Sequence, residues 1–182
     1  IMFDDLDKHV GKPVMGKTGH SLINDTINQE KAVLAGEFSG HIFIADDYYG
    51  FDDALYTSFR LVEIMKRSGL GIRDLLSGVP RLHYTPEIRI ECEDESKRML
   101  VETLVTRCKE YFRTGEGPLP IRKIYDIDGA RVVFEKGWGL VRSSNTQPVI
   151  VMRFEAEDEE SLKQYRNFLE SELKNAQGEG NK

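Results

Sequence analysis

The hydrophobic residues of the first half of the chain fall into short runs that alternate with longer stretches of helical spacing. Three runs have the length of strands and two stretches have helical spacing: residues 13–15, 33–35 and 41–45, and residues 22–29 and 52–67. Asp52 or Asp53 is well placed to cap the second helix, because a carboxylate can accept a hydrogen bond from a free N–H group of the first turn. Alternating strands and helices predict an α/β fold, here part of a domain with a mixed sheet and helices.

The second half of the chain begins with strict alternation and then follows a different order of elements. Ile88, Ile90 and Cys92 alternate with charged residues, as expected of a half-buried antiparallel strand. A helical stretch follows, then a series of short strands separated by Asp128-Gly129 and Lys136-Gly137 turns, and then a final helix. This order predicts an α+β domain with a four-stranded, mainly antiparallel sheet and two helices.

The composition shifts between these two halves. Gly78 and Pro86 interrupt the hydrophobic periodicity within residues 77–86. A stretch without periodicity between two differently patterned halves is typical of a linker between domains. We therefore predict two domains, residues 1–80 and residues 86–175.

Composition and charge exclude several classes of function. The chain has 182 residues, of which 40% are hydrophobic and 31% are charged, as is ordinary for a globular protein. Its longest apolar runs, such as residues 149–152, are far shorter than the roughly 20 residues that span a bilayer, and no signal peptide opens the chain. The formal net charge of −6 disfavours binding to nucleic acid. We expect a cytoplasmic protein with neither a membrane nor a nucleic acid as its partner.

Neither the cysteines nor the acidic residues have the spacing of metal ligands. Cys92 and Cys108 lie on apolar stripes, which favours buried, reduced thiols. The acidic pairs at residues 46–47 and 52–53 are better explained by helix capping and solvated surface. No metal site is therefore expected in this chain.

A polar run between two strand-like segments is the strongest candidate for binding chemistry. Residues 142–148 read Arg-Ser-Ser-Asn-Thr-Gln-Pro and combine one guanidinium with three hydroxyls and two amides. The guanidinium of Arg142 offers a planar fork of donors that matches phosphate oxygens, and the small polar side chains supply short neutral hydrogen bonds. The run predicts an anion pocket, with a plain hairpin loop as the alternative.

Two further segments carry candidate binding residues. Lys17 and His20 follow the first apolar run on a glycine-containing loop, where ligand groups are often mounted on α/β sheets; a solvated turn is the alternative. Glu37, Ser39 and His41 lie two residues apart, so an extended backbone would point all three side chains to one side. A carboxylate, a hydroxyl and an imidazole suit hydroxyl recognition and proton transfer, whereas a turn with a histidine at a strand edge is the alternative.

Residues 11–18 match the P-loop pattern of nucleotide-binding proteins, with the string Gly-Lys-Pro-Val-Met-Gly-Lys-Thr. That motif needs a strand before the first glycine and a helix that opens at the Lys-Thr pair, so that the helix N-terminus holds the phosphates. Here the apolar run lies between the two glycines instead. We therefore do not expect a nucleotide P-loop.

Four segments of the chain form a pattern that is highly specific as a set. They are Lys-Thr-Gly-His-Ser at residues 17–21, Gly-Glu-Phe-Ser-Gly-His at 36–41, Asp-Gly-Ala-Arg-Val at 128–132 and Gly-Trp-Gly-Leu-Val-Arg at 137–142. Together they resemble the C-terminal half of the α-D-phosphohexomutases, in the phosphomannomutase/phosphoglucomutase branch. The resemblance runs from about Ile1 to Leu173 in the family's order, and it implies most of the family's third domain followed by its fourth.

The resemblance also implies a role for each candidate residue. In the family, the loop that matches Lys17 and His20 faces the sugar phosphate. Residues that match Glu37 and Ser39 hold ring hydroxyls, and the one that matches His41 is a proton-transfer residue. The loop that grips the phosphate not undergoing transfer matches four residues here: Arg142, Ser144, Asn145 and Thr146.

The family's reaction needs parts that this chain lacks. Its members interconvert the 1-phosphate and 6-phosphate of a hexose through a phosphoserine enzyme, bound Mg²⁺ and a hexose 1,6-bisphosphate intermediate. Neither the family's serine loop nor its Asp-Gly-Asp-Gly-Asp metal loop occurs in this sequence, which begins at Ile1 rather than Met. We expect a fragment that is inactive alone and is completed by N-terminal domains of the same protein. A stand-alone phosphosugar-binding module without catalysis is the alternative.

Overall fold

The computed structural model describes residues 11–179 of the chain. They divide into two compact units, with the division between Pro80 and Arg81. This position lies within residues 77–86, where the composition of the sequence shifts.

The first unit contains a helix, a hairpin of two strands and two further helices. In chain order these are α1 (His20–Glu30), β1 (Leu34–Gly36), β2 (Ile42–Ile44), α2 (Ala54–Ser68) and α3 (Ile72–Leu75). The two strands pair antiparallel, with Leu34 opposite Ile44 and Gly36 opposite Ile42. Phe43 of β2 is fully buried against Ile23 and Ile27 of α1, which fixes the hairpin on this helix.

Helix α2 begins where the acidic pair predicts. The side chain of Asp53 accepts a hydrogen bond from the backbone N–H of Tyr56 at 2.9 Å, so Asp53 is the N-cap and the capping prediction is confirmed. Gly69 ends the helix in a left-handed conformation with φ 70°, which glycine adopts without strain. Leu55 and Phe59 on this helix are 75% and 71% exposed, so within the described structure its apolar face is largely uncovered.

The sheet of the first unit differs from the prediction, although the α/β class is confirmed. Residues 13–15 form no strand, and the ladder formed by residues 11–80 is antiparallel rather than mixed. A short apolar run becomes a strand only when a partner satisfies its backbone groups, and Pro13 has no N–H group to donate to such a ladder. The hydrophobic pattern shows that a segment is strand-like but not which segment pairs with it.

The second unit is an antiparallel sheet with two long helices. In chain order its elements are β3 (His83–Tyr84), β4 (Ile88–Glu91), α4 (Asp94–Thr114), β5 (Lys123–Tyr125), β6 (Ala130–Val133), β7 (Gly137–Ser143), β8 (Val149–Ala156) and α5 (Glu159–Glu179). The strands lie in the order β3-β8-β7-β6-β5, and β4 also pairs with β8. The predicted α+β class with two helices is confirmed.

The sheet contains six strands, so the predicted number of four is wrong. Two of the six, β3 and β4, pair with successive parts of the same long strand, because His83 lies opposite Ala156 and Ile88 lies opposite Met152. Pro86 lies between them and cannot donate to the ladder, so one sheet edge is built from two short pieces. A two-residue strand such as β3 is too short to produce an alternating pattern.

The core of the second unit lies between the sheet and the two helices. Its fully buried members include Leu104, Val132, Val141, Phe154 and Leu169. Cys108 is buried and Cys92 half-buried, and both are free thiols, as predicted except for the partial exposure of Cys92. Within the described residues, the structure contains no helix with the length and apolar character needed to cross a bilayer.

Candidate functional site

A carboxylate shared by two histidines lies at the centre of the first unit's polar cluster. Asp52 Oδ2 lies 2.7 Å from His41 Nδ1 and 3.1 Å from His20 Nε2. Its other oxygen, Oδ1, accepts a hydrogen bond from the backbone N–H of Ile42 at 3.3 Å. The three side chains come from the start of α1, the residue before β2 and the loop before α2, so the fold brings together residues that are far apart in sequence.

The pKa of Asp52 is lowered by this arrangement. Partial burial raises the pKa, but the hydrogen bonds with His41 and His20 and the charge of His41 together outweigh it. The carboxylate is therefore ionised at neutral pH and acts only as an acceptor. Each histidine must then place a proton on the nitrogen that faces Asp52.

The histidine cluster is open to a ligand. The side chains of His20 and His41 are 55% and 44% exposed, whereas that of Asp52 is 22% exposed. The two imidazole rings meet edge to face, with centroids 5.0 Å apart, and His20 also packs edge to face against the buried ring of Phe43. Asp52 and Phe43 thus contact the rings on the protein side, and the rest of each ring is open to solvent.

The loop between β1 and β2 brings Glu37 and Ser39 to the same cluster. Glu37 Oε1 accepts a hydrogen bond from the backbone N–H of Gly19 at 2.9 Å, and Glu37 Oε2 accepts one from Ser39 Oγ at 3.0 Å. Since Gly19 directly precedes His20, the glutamate links the hairpin loop to the start of α1. The predicted extended backbone is wrong, because the N–H of Gly40 donates to the carbonyl of Glu37 at 3.0 Å and closes a turn. Gly40 has φ 92°, a conformation that glycine adopts without strain.

Lys17 is the candidate that the structure does not bring into the cluster. Its side chain is exposed, and it forms no hydrogen bond or ion pair with the described residues. Helix α1 begins at His20 rather than at the Lys-Thr pair, so residues 11–18 lack the helix N-terminus that a P-loop requires.

Arg142 is the central residue of the second unit's polar loop. It lies near the end of β7, opposite Val151, and only 17% of its side chain is exposed. The nearest described acid is Asp128, whose Oδ2 lies 3.9 Å from Arg142 Nη1, beyond hydrogen-bond distance. Within residues 11–179, no acceptor forms a hydrogen bond with this guanidinium. Most of the cation is thus removed from water with one long ion pair to Asp128 and no hydrogen bond from a described residue.

The loop that follows Arg142 is held in place by its own polar groups. Ser144 is 7% exposed, and its Oγ accepts hydrogen bonds from the N–H groups of Thr146 and Gln147 at 3.4 and 3.2 Å. Asn145 and Thr146 are exposed at the tip. The backbone geometry therefore leaves the tip side chains free to contact a ligand, while the buried serine fixes the turn.

Lys97 is a functional candidate that the sequence reasoning missed. It is 6% exposed, and its Nζ donates to the carbonyl of Gln147 at 2.8 Å and pairs with Asp94 at 2.6 Å. A signal was present, because Lys97 lies on the apolar stripe of α4 that continues through Leu100 and Leu104. A lysine on an apolar stripe rarely stays buried unless it is paired.

The two units match consecutive domain models of one family. Residues 1–82 match "Phosphoglucomutase/phosphomannomutase, alpha/beta/alpha domain III", and residues 87–171 match "Phosphoglucomutase/phosphomannomutase, C-terminal domain". The chain belongs to the phosphoglucomutase/phosphomannomutase family. The resemblance inferred from the motifs is thereby confirmed.

Relatives within this family cover nearly the whole chain. A phosphomannomutase/phosphoglucomutase of Pseudomonas syringae pv. tomato is 43% identical over 169 residues, which is 93% of this chain and 34% of the relative. A phosphoglucomutase of Neisseria gonorrhoeae is 36% identical over 163 residues, or 89% of this chain and 34% of the relative. The chain thus spans about a third of the length of these curated relatives.

A solved structure of the family has a similar fold. The crystal structure of a phosphoglucomutase/phosphomannomutase family protein from Burkholderia thailandensis matches 97% of this chain and 35% of its own, with a TM-score of 0.81 and 38% sequence identity. The roles assigned to individual residues of the two loops stay predictions.

Proposed function

We propose that this chain supplies the sugar-recognition and phosphate-anchoring part of a phosphomannomutase/phosphoglucomutase. In the intact enzyme it would help to interconvert hexose 1-phosphate and hexose 6-phosphate through a phosphoserine and a hexose 1,6-bisphosphate. The observation that carries the proposal is the mostly buried Arg142 guanidinium, which has no hydrogen-bond acceptor among the described residues. The printed names of the relatives give the reaction class.

Arg142 is suited to hold the phosphate that does not react. Its donors can form two parallel, charge-assisted hydrogen bonds with phosphate oxygens, whereas Asp128 at 3.9 Å forms an ion pair without a hydrogen bond. Asn145 and Thr146 can add neutral hydrogen bonds from the exposed tip. Ser144 Oγ accepts two backbone N–H groups and keeps its own proton, which it can donate to a phosphate oxygen. Binding energy obtained from a phosphate that does not react would serve to position the sugar.

Glu37 and Ser39 are suited to hold sugar hydroxyls. Each oxygen of the Glu37 carboxylate accepts one hydrogen bond from the protein and retains a lone pair for a sugar O–H group. Ser39 donates to Glu37, so its oxygen is oriented to accept a hydrogen bond from a ligand. A preorganised pair of this kind needs no rearrangement when a sugar binds.

His41 is suited to transfer a proton because Asp52 sets its tautomer. With the Nδ1 proton directed at the carboxylate, Nε2 of a neutral imidazole carries the lone pair and can accept the proton of an attacking hydroxyl. His20, which shares the same carboxylate, would bind the sugar phosphate, as would the exposed Lys17.

Mg²⁺ is expected to act outside this chain. Mg²⁺ prefers an octahedral set of oxygen ligands, whereas the three described side chains that come together as possible ligands include two imidazoles, His20 and His41. These residues do not fit Mg²⁺. We propose that the metal and the phosphoserine belong to the part of the intact protein that matches the remaining length of the relatives.

An affinity measurement on Arg142 tests the proposal. Isothermal titration of the chain with glucose 1-phosphate should show binding at least tenfold weaker for Arg142→Ala, because one charge-assisted hydrogen bond contributes about 1.5–3 kcal/mol. Arg142→Lys should recover only part of the affinity, since a lysine keeps the charge but lacks the planar fork. Arg166→Ala is the matched control, because Arg166 is paired with Glu170 on the surface of α5. Equal affinities of Arg142→Ala and the unaltered chain would contradict the proposal.

A further inference from the structure

The cluster of two histidines and one aspartate has a property beyond sugar binding. His20, His41 and Asp52 each offer one ligand atom, and these three atoms all lie within 4.8 Å of one another. We propose that these three residues form a binding site for a divalent transition-metal ion of the Zn²⁺ class. This proposal does not depend on the sugar-phosphate function.

The distances between the ligand atoms are close to those of a metal site. Ligand atoms at about 2.0–2.1 Å from a tetrahedral ion are separated by about 3.3 Å. Asp52 Oδ2 is already 2.7 Å from His41 Nδ1 and 3.1 Å from His20 Nε2. The two nitrogens, at most 4.8 Å apart, therefore need to approach by no more than about 1.5 Å. The His41 side chain is 44% exposed, and the approach is assigned mainly to this ring because His20 packs against Phe43.

Neighbouring groups hold the three ligand side chains in place. The Oδ1 atom of Asp52 is fixed by the N–H of Ile42, which leaves Oδ2 directed at the two rings. Phe43 lies fully buried beneath His20 and limits the movement of its ring. The backbones of Phe43 and Asp52 are also paired through a β-bridge, which fixes the aromatic ring and the carboxylate relative to each other.

The donor set selects the class of ion. Two imidazole nitrogens and one carboxylate oxygen suit Zn²⁺ and neighbouring transition ions, whereas Mg²⁺ and Ca²⁺ prefer oxygen ligands. The exposed side of the cluster leaves a fourth position for water or a ligand oxygen. In its metal-free form the cluster is held by hydrogen bonds, so the fold of the unit does not require the ion.

A bound ion would reverse the tautomer of His41. The nitrogen that now donates to Asp52 would give its lone pair to the metal, and the ring proton would then be on Nε2. In that form Nε2 cannot accept a proton from a sugar hydroxyl. This consequence, unlike the site itself, rests on the proposed function, and it makes the ion an inhibitor of proton transfer at His41.

Titration of the 182-residue chain with ZnCl₂ tests the site, with MgCl₂ as the comparison ion. We expect one saturable Zn²⁺ site per chain and no comparable Mg²⁺ binding. Asp52→Asn and His20→Gln should each weaken Zn²⁺ binding at least tenfold. His20→Gln keeps the hydrogen bond between Asp52 and Ile42, so it tests the site even where Asp52→Asn disturbs the fold.

Three control variants separate this site from adventitious binding. Asp47→Asn changes an exposed acid of the same loop, His83→Gln changes an exposed histidine of the second unit, and Cys92→Ser removes the half-buried thiol. All three should bind Zn²⁺ as the unaltered chain does. Nitrogen-detected NMR should show the ring proton of His41 move from Nδ1 to Nε2 when Zn²⁺ is added. Absence of a saturable site, unchanged affinity in His20→Gln, or loss of binding in Cys92→Ser would each overturn the proposal.

Discussion

An ion pair between Arg107 and Glu172 joins the two long helices of the second unit, and its removal should lower the free energy of unfolding. Glu172 of α5 is 5% exposed, and its Oε2 accepts hydrogen bonds from Arg107 Nε at 2.7 Å and from the Tyr111 hydroxyl at 3.2 Å. The hydrogen bond with Glu172 raises the pKa of Arg107 further above its usual value. The perturbation is Arg107→Met, which keeps much of the side-chain volume and removes the cation.

The expected loss of stability follows from the burial of the carboxylate. Removal of one partner of a buried ion pair typically costs 3–5 kcal/mol, because the remaining charge stays buried. Arg107 is 25% exposed, so water can replace part of what it provides, and the Tyr111 hydroxyl remains. We therefore expect the low end of the range, about 3 kcal/mol. For a unit of roughly 100 residues this corresponds to a fall in Tm of about 12–24 °C.

Urea unfolding monitored by tryptophan fluorescence measures this change in the relevant unit, because the chain has one tryptophan, Trp138, on β7. Arg107→Met combined with Glu172→Leu should recover most of the lost stability, since the second change removes the buried charge that the first leaves unpaired. Arg113→Met is the control, because Arg113 pairs with Glu110 at the surface of α4. A double variant less stable than the single Arg107 variant would show that the unpaired Glu172 charge is not the cause of the loss.

Three further predictions concern packing, titration and capping. Gly139→Ala would place a Cβ 2.6 Å from Leu169 Cδ1, so urea unfolding should show a free energy of unfolding lower by about 1–3 kcal/mol. Gly178→Ala is the control and should show no such loss, because a Cβ there would meet no atom within 4 Å. Burial raises the pKa of Cys108 to about 12, so the native thiol keeps a proton that the thiol of the unfolded chain loses near pH 8.5. The free energy of unfolding should therefore fall between about pH 8.5 and pH 12, by up to about 1.4 kcal/mol per pH unit. The difference between the unaltered chain and Cys108→Ala should isolate this slope. Asp53→Ala should speed hydrogen exchange at the Tyr56 amide, whereas Asp53→Asn should not, because asparagine also caps helices.

Local features of the fold could be predicted from the sequence because one short segment determines them. The cap of α2 depends on Asp53 and the N–H three residues later, and the two helices of the second unit depend on apolar positions that repeat along one face. The partners of strands depend on distant segments instead. The pattern therefore did not show that residues 13–15 lack a strand partner or that β3 and β4 share β8.

For the candidate site, too, the sequence predicted which residues take part but not which of them contact one another. The motifs identified the residue types of the two loops, and the structure brings Glu37, Ser39, His20 and His41 into one cluster. The sequence did not predict that Asp52 is shared by two histidines 11 and 32 positions away, or that Lys97 supports a loop 50 positions away. Those contacts depend on how the elements pack, and hydrophobic periodicity indicates which face is buried but not what it contacts.

Whether this chain anchors a sugar phosphate can be measured by an amide-resolved NMR titration with glucose 1-phosphate, with glucose and inorganic phosphate as controls. We expect saturable shifts at residues 142–146 with glucose 1-phosphate and with phosphate. We expect shifts at residues 37–41 only when the sugar ring is present. Absence of shifts at residues 142–146 at millimolar glucose 1-phosphate, or shifts of equal size in Arg142→Ala, would contradict the claim that this chain anchors a sugar phosphate.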